Sequence, residues 1–241
     1  MNTETHRITI GDLPVDVVRK RIKNLHLGVY PPDGRVRVAA PLLVGDDAVR
    51  LAVIGKLGWI RRQQARFEAQ PRQSPRQIVS GESHYFLGRR YRLRVHEHHG
   101  PPSVSLRGKA SIEIFVRPDA AIEQRLSVLQ RWYRQQLKAL LPPLLEKWQQ
   151  ALGVQIDDWG IKRMKTRWGT CNIGARRLWF NLELAKKPER CLEYVVVHEL
   201  MHLLERHHDD RFTALMDRHL TNWRQLRSEL NHAPLAHEHW P

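Results

Sequence analysis

Apolar residues change their spacing several times along the 241-residue chain, and each change predicts an element. After the turn signal Pro31-Pro32-Asp33-Gly34, Val36 and Val38 alternate with Arg35 and Arg37, the pattern of a half-buried strand. Asp46-Asp47 then marks the start of a helix running toward Phe67, with Leu51, Ile54, Leu57 and Ile60 at helical spacing. The Pro/Gln/Arg-rich stretch Gln70–Gln77 reads as a loop. Tyr91, Leu93 and Val95 alternate with Arg92, Arg94 and His96, and Ile112, Ile114 and Val116 form a further alternating strand.

Pro118-Asp119 opens a long helix whose apolar positions (Ile122, Leu126, Leu129, Tyr133, Leu137, Leu140, Leu144, Trp148) step by three and four. Pro142-Pro143 should kink or break it. Ile156 to Met164 and Leu178–Asn181 read as strands around the turn Trp168–Gly174. Pro188 and Glu189 then suit the first turn of a helix, and Leu192, Val195, Val196, Leu200 and Leu203 make it a buried one. Phe212, Leu215 and Met216 mark another helix, and Trp223, Leu226 and Leu230 a last one. No internal repeat is visible. The elements predict an α+β protein, with a β-rich N-terminal region that includes a helix over residues 1–117 and a second domain over residues 118–241.

The buried helix carries chemistry. His198-Glu199-Leu200-Met201-His202 has the form H-E-x-x-H. Residues four apart on a helix project on nearly the same side, so two imidazoles can converge on one metal ion. The glutamate between them points toward a different edge, where it can serve metal-bound water. Burying histidines and a glutamate is costly unless they are paired or ligate a metal.

A catalytic zinc usually takes three protein ligands and one water. Glu205 shares the helix face but lies roughly 10 Å along the axis from His198. His208 can reach the metal only if the helix ends near Leu204–His207 and the chain turns back. Asp209-Asp210 after it look like the N-cap of a new helix, which favours His208 over its neighbour His207. The spacing His198, His202, His208 equals that of the metzincins, but Glu205 stands where they have glycine and no methionine turn is evident, so that reading is rejected.

The stretch Trp168-Gly169-Thr170-Cys171, then Asn181-Leu182, then Tyr194-Val195-Val196-Val197-His198-Glu199-Leu200-Met201-His202-Leu203, followed by His208 and Phe212, resembles the YgjP-like metal-dependent hydrolases. This is a bacterial zincin-like family related in its core to the SprT and WLM peptidase groups. Looser matches extend upstream and include Tyr85-Phe86-Leu87-Gly88-Arg89 and Trp132-Tyr133. The resemblance implies a zincin-like hydrolase domain over residues 118–241, in which the long helix packs behind the metal-bearing one beside a small sheet. It implies His198, His202 and His208 as metal ligands and Glu199 as catalytic base. By analogy with zincins, an edge strand beside the site pairs with extended peptide, and Leu178–Asn181 is the candidate.

Composition narrows the setting. No apolar run reaches membrane-spanning length, and the N-terminal residues lack the apolar core of a signal peptide. Cys171 and Cys191, the only cysteines, make no disulfide framework, which points to a reducing cytoplasm. The formal charge of +15 favours anionic partners, nucleotides or nucleic acid among them. Yet pairs such as Arg61-Arg62, Arg89-Arg90 and Arg176-Arg177 are dispersed, and no nucleic-acid-binding motif sharpens that reading. His96, His98 and His99 cluster before Gly100-Pro101-Pro102 and read as a wet loop, and the histidine-rich tail from His237 reads as a frayed end.

The expected function is therefore a cytoplasmic zinc hydrolase, a peptidase with one Zn2+ (or another divalent metal) per chain and a peptide or protein substrate. Arg167 and His207 are candidates to steady a developing oxyanion. Two alternatives remain: a zinc-dependent nucleotide pyrophosphatase attacking a phosphoanhydride, and a basic nucleic-acid-binding protein with a structural metal.

Overall fold

The computed structural model describes residues 5–30, 33–69, 76–164 and 167–232. The two prolines of the first turn, most of the Gln70–Gln77 loop and the histidine-rich tail lie outside them. The architecture is α+β, in two compact units, Met1–Gln73 and Ser74–Pro241.

The first unit runs β1 (Thr5–Ile10), β2 (Leu13–Lys20), β3 (His26–Tyr30), β4 (Arg35–Pro41), α1 (Asp46–Ile54) and α2 (Leu57–Ala69). The sheet order is β1-β2-β4-β3, with β2 and β4 parallel and the two outer pairs antiparallel. Val36 and Val38 point into the core, as their alternation predicts, and meet Val15, Val17, Val49, Val53 and Ile60. The single helix expected to reach Phe67 is two, interrupted at Gly55-Lys56. Its buried face is also different: Leu51 is 70% exposed and Ile54 is exposed, while Val49 and Val53 are covered. Both faces of this helix are apolar, and the sheet beneath decides which one is covered. Gly45 takes the N-cap position, and the Asp46 carboxylate instead binds His6 and the Arg19 guanidinium.

The second unit begins with β5 (Ser83–Phe86), β6 (Arg89–Glu97), β7 (Ser103–Arg107) and β8 (Ser111–Val116). Their order is β5-β6-β8-β7, with the central pair parallel. This repeats the connectivity of the first sheet, and the opening hairpin of each turns on a glycine in the left-handed region, Gly11 and Gly88. A repeated topology thus underlies a chain whose sequence shows no repeat, because strand pairing needs only alternation and turn residues.

The long helix follows as α3 (Ile122–Leu152), unbroken through Pro142 and Pro143. Leu137, Leu141, Leu145 and Trp148 are buried on either side of the prolines, so core packing holds the helix across the lost backbone donors. The buried stripe shifts there from the expected Leu140 and Leu144 to Leu141 and Leu145. Because β5–β8 share one core with α3, the compact units divide between Gln73 and Ser74, whereas the expected division after residue 117 follows the change from strands to helix.

After α3 come β9 (Asp158–Lys162), β10 (Gly169–Asn172), β11 (Arg177–Asn181), a 3-10 turn (Leu182–Lys186), α4 (Glu189–Met201), α5 (Asp210–His219) and α6 (Trp223–His232). The small sheet has the order β10-β11-β9. Here the structure corrects an expectation. Leu178–Asn181 lies in the central strand, paired antiparallel to β10 and parallel to β9, with Leu178, Phe180 and Asn181 buried. An apolar run of this kind marks a strand covered on both sides, and the edges fall to less apolar segments. The α3 helix backs α4 as expected, and Lys147 and Trp148 both donate to Glu193 of α4, at 2.7 and 2.9 Å. Among the described residues, no helix is long and apolar enough to cross a membrane.

Candidate metal centre

The α4 helix is buried almost all round: Cys191, Leu192, Tyr194, Val195, Val196, Val197, Leu200 and Met201 are core residues. It packs against α3, α6 and β10. Such a helix cannot roll, so the polar groups at its C-terminal end are held in fixed directions.

The helix stops at Met201, three residues before the predicted limit, and His202 is its C-cap. The amides of Leu203, Leu204 and Glu205 close the end by bonding back to Leu200 and Met201. The chain then reverses and restarts as α5, whose N-cap is Asp209, with its carboxylate accepting from the Phe212 amide at 3.0 Å. That reversal returns His208 to the end of α4. Ring nitrogens of His198, His202 and His208 all lie within 4.8 Å of one another, the single three-residue set able to hold a metal ion among the described residues. Phe212 forms a floor, with its ring centroid 5.1, 5.0 and 4.8 Å from the three imidazoles in that order.

Proton positions follow from the contacts. His202 Nδ1 lies 3.1 Å from the Glu205 carbonyl oxygen, to which it donates, leaving Nε2 with a lone pair. Glu205 therefore serves through its backbone, while its carboxylate lies 3.6 Å from Arg211. The Nε2 atoms of His198 and His208 face each other at 3.0 Å, so at most one can carry a proton between them. Burial pushes His198 down to about 3, helped by the neighbouring imidazoles and Arg227, and burial lowers His202 and His208 as well. Three imidazoles held neutral, two of them nitrogen to nitrogen, fit a divalent cation such as zinc. The Nδ1 of His198 is buried without a hydrogen-bond partner among the described residues.

Glu199 is 6% exposed, and its side chain lies against Gly169 of β10. A Cβ placed on Gly169 would lie 2.6 Å from both Cγ and Oε1 of Glu199, so only glycine lets the strand approach the carboxyl this closely. Burial pushes the Glu199 carboxyl up to about 8, against the pull of the Arg167 cation. Cys171, farther along β10, is pushed up to about 11 by burial and by the Glu199 charge, which makes it a poor thiolate. His207 is exposed on the reversal and is not one of the three converging imidazoles.

Three contributions are invisible to spacing arguments. Phe212 reads as an ordinary helix residue, Gly169 as a turn glycine and Asn181 as the end of a strand. The W-G-T-C stretch and the asparagine do stand in the resemblance, but their roles appear only when β10, β11 and α4 come together. No curated protein matches the chain. The YgjP-like metallopeptidase-domain family matches residues 23–233, and the chain therefore belongs to that family of metal-dependent hydrolases.

Proposed function

We propose that the protein is a zinc-dependent metallopeptidase in which His198, His202 and His208 hold one zinc per chain and Glu199 is the general base. The observation that carries this reading is the meeting of three ring nitrogens at the end of a helix whose buried Glu199 directly follows His198. Zinc held there supplies a Lewis acid and lowers the pKa of water toward neutrality. Glu199 takes the proton of the attacking water on a carboxylate oxygen and delivers it to the leaving amide nitrogen. One carboxyl can do both, because it is a base when ionised and an acid once it holds the proton. Its wall at Gly169 keeps the carboxyl from swinging away, and the buried flanks of α4 exclude bulk water from its inner side.

The peptide lies extended along β10, the edge strand whose glycine touches Glu199. The nucleotide and nucleic-acid readings rest on net charge alone and gain no support from the family or from the site.

Zinc analysis and casein turnover of the wild type and Glu199→Gln test the proposal. The variant should keep its zinc and lose about 10²–10⁴-fold in kcat. Full turnover in that variant would eliminate Glu199 as the base.

A further inference from the structure

Asn181 is fully buried, at the end of the central strand β11. Its side chain uses its whole hydrogen-bonding capacity. The Nδ2 group donates to the carbonyl oxygens of Met164 and Arg167, each at 2.8 Å. The Oδ1 atom accepts from the Glu183 amide at 3.2 Å and the Met164 amide at 3.4 Å. Its backbone amide donates to Trp168 O at 2.9 Å. Two consecutive carbonyls, those of Arg167 and Trp168, are thus held by one residue immediately before Gly169, the glycine that abuts Glu199. Through the Glu183 contact Asn181 also caps the 3-10 turn that leads into α4.

One buried amide therefore ties together the entry of the edge strand and the connector to the helix bearing His198 and Glu199. An exposed loop edge would drift on its own. A loop whose carbonyls are fixed from beneath presents the same backbone each time a peptide arrives.

We infer that Asn181 is a positioning residue, which holds the β10 edge in register with Glu199 so that a bound peptide meets the carboxyl correctly. The inference rests on the metallopeptidase reading and adds the device that aligns the substrate. It predicts that loss of the Nδ2 donor damages peptide binding beyond any loss of stability. Asn181→Asp is the sharpest change, because it keeps the size and the Oδ1 acceptor but sets a carboxylate oxygen against two carbonyls.

The test uses zinc-loaded Glu199→Gln, which should bind peptide without cleaving it, and a fluorescein-labelled casein peptide read by anisotropy well below the melting temperature. Adding Asn181→Asp should weaken the peptide about tenfold or more while the zinc content stays unchanged. Hydrogen exchange on Glu199→Gln alone should show peptide-dependent protection over residues 167–172, and this arm does not depend on the folding of the double variant. Equal peptide affinity in the two proteins, or protection confined elsewhere, would overturn the role of Asn181 and leave the peptidase reading standing. Failure of Glu199→Gln to bind any peptide would remove the peptidase reading and this inference with it.

Discussion

Two groups of histidines in this protein share most of their local features and differ in one. His96 and His98 lie two apart at the end of β6, on one side of the strand, and both rings rest on Phe115, with centroids 4.9 and 5.7 Å away. His198 and His202 lie four apart at the C-terminal end of α4, His202 as its cap, and rest on Phe212. Each group has an acidic residue nearby: His96 Nε2 is 3.8 Å from Glu113, and Glu199 follows His198. In the strand group the Nε2 atoms of both histidines are buried without a hydrogen-bond partner among the described residues, yet no third ligand atom joins them. At α4 the chain reverses within a few residues and brings His208 back. An aromatic floor and a pair of imidazoles therefore do not by themselves gather three ligands, and the return of the backbone separates three converging imidazoles from a histidine-rich strand end. A strand advances about 3.3 Å per residue and carries later residues away, whereas a helix end can be folded back on itself.

The sharpest way to break this contrast is to delete one histidine from each group. His208→Ala should weaken zinc by at least about a hundredfold, while His96→Ala and His98→Ala should each keep one zinc per chain, measured by chelator competition and elemental analysis. Equal losses from both groups would erase the distinction.

The next effect concerns the two acidic residues and is read on metal-free protein. The Glu199 carboxyl is raised from 4.5 to about 8 in the fold. Its native environment favours the protonated form, so that stabilisation is complete below pH 4.5 and is lost as pH rises through 8. Glu199→Gln should therefore stabilise the metal-free protein at and above pH 8 by on the order of 5 kcal/mol, with the gap closing toward pH 4.5, in urea titrations. Glu113→Gln should not stabilise, because it removes the charge that sits 3.4 Å from Arg107. A stabilised Glu113→Gln would make the two sites alike.

Smaller effects probe the framework. Gly169→Ala forces a methyl against Glu199 and should cost about tenfold in kcat, whereas Gly174→Ala, whose nearest neighbour is 3.8 Å away, should leave peptidase turnover within about twofold. Asp209→Ala removes the cap that restarts the chain after the reversal and should lower stability by about 1 kcal/mol, seen in thermal unfolding.

Much of the site was legible before any coordinates, for identifiable reasons. The H-E-x-x-H spacing is a local helical property, and the apolar flanks of α4 announce its burial. Asp209 announces the restart of the chain, which is why His208 could be preferred to His207. The partners of Glu199 were not legible, because Gly169 and Asn181 lie on strands remote in sequence and act through close approach and backbone carbonyls. The misjudged edge strand has the same origin. Leu178-Trp179-Phe180-Asn181 is the most apolar strand near the site, and that apolarity reflects cover on both sides.

The sequence alone determined which residues could carry the chemistry, the α+β class, the helix that bears His198 and Glu199, and the point where the chain must turn back. These depend on periodicity, caps and side-chain type, which act over a few neighbours. Tertiary structure alone decided which face of α1 is covered, that α3 passes unbroken through two prolines, that β10 is an edge strand, and that a single buried asparagine ties the entry of β10 to the connector before α4. Those outcomes depend on competition among distant segments for the same buried surface, and no local pattern contains the result of that competition.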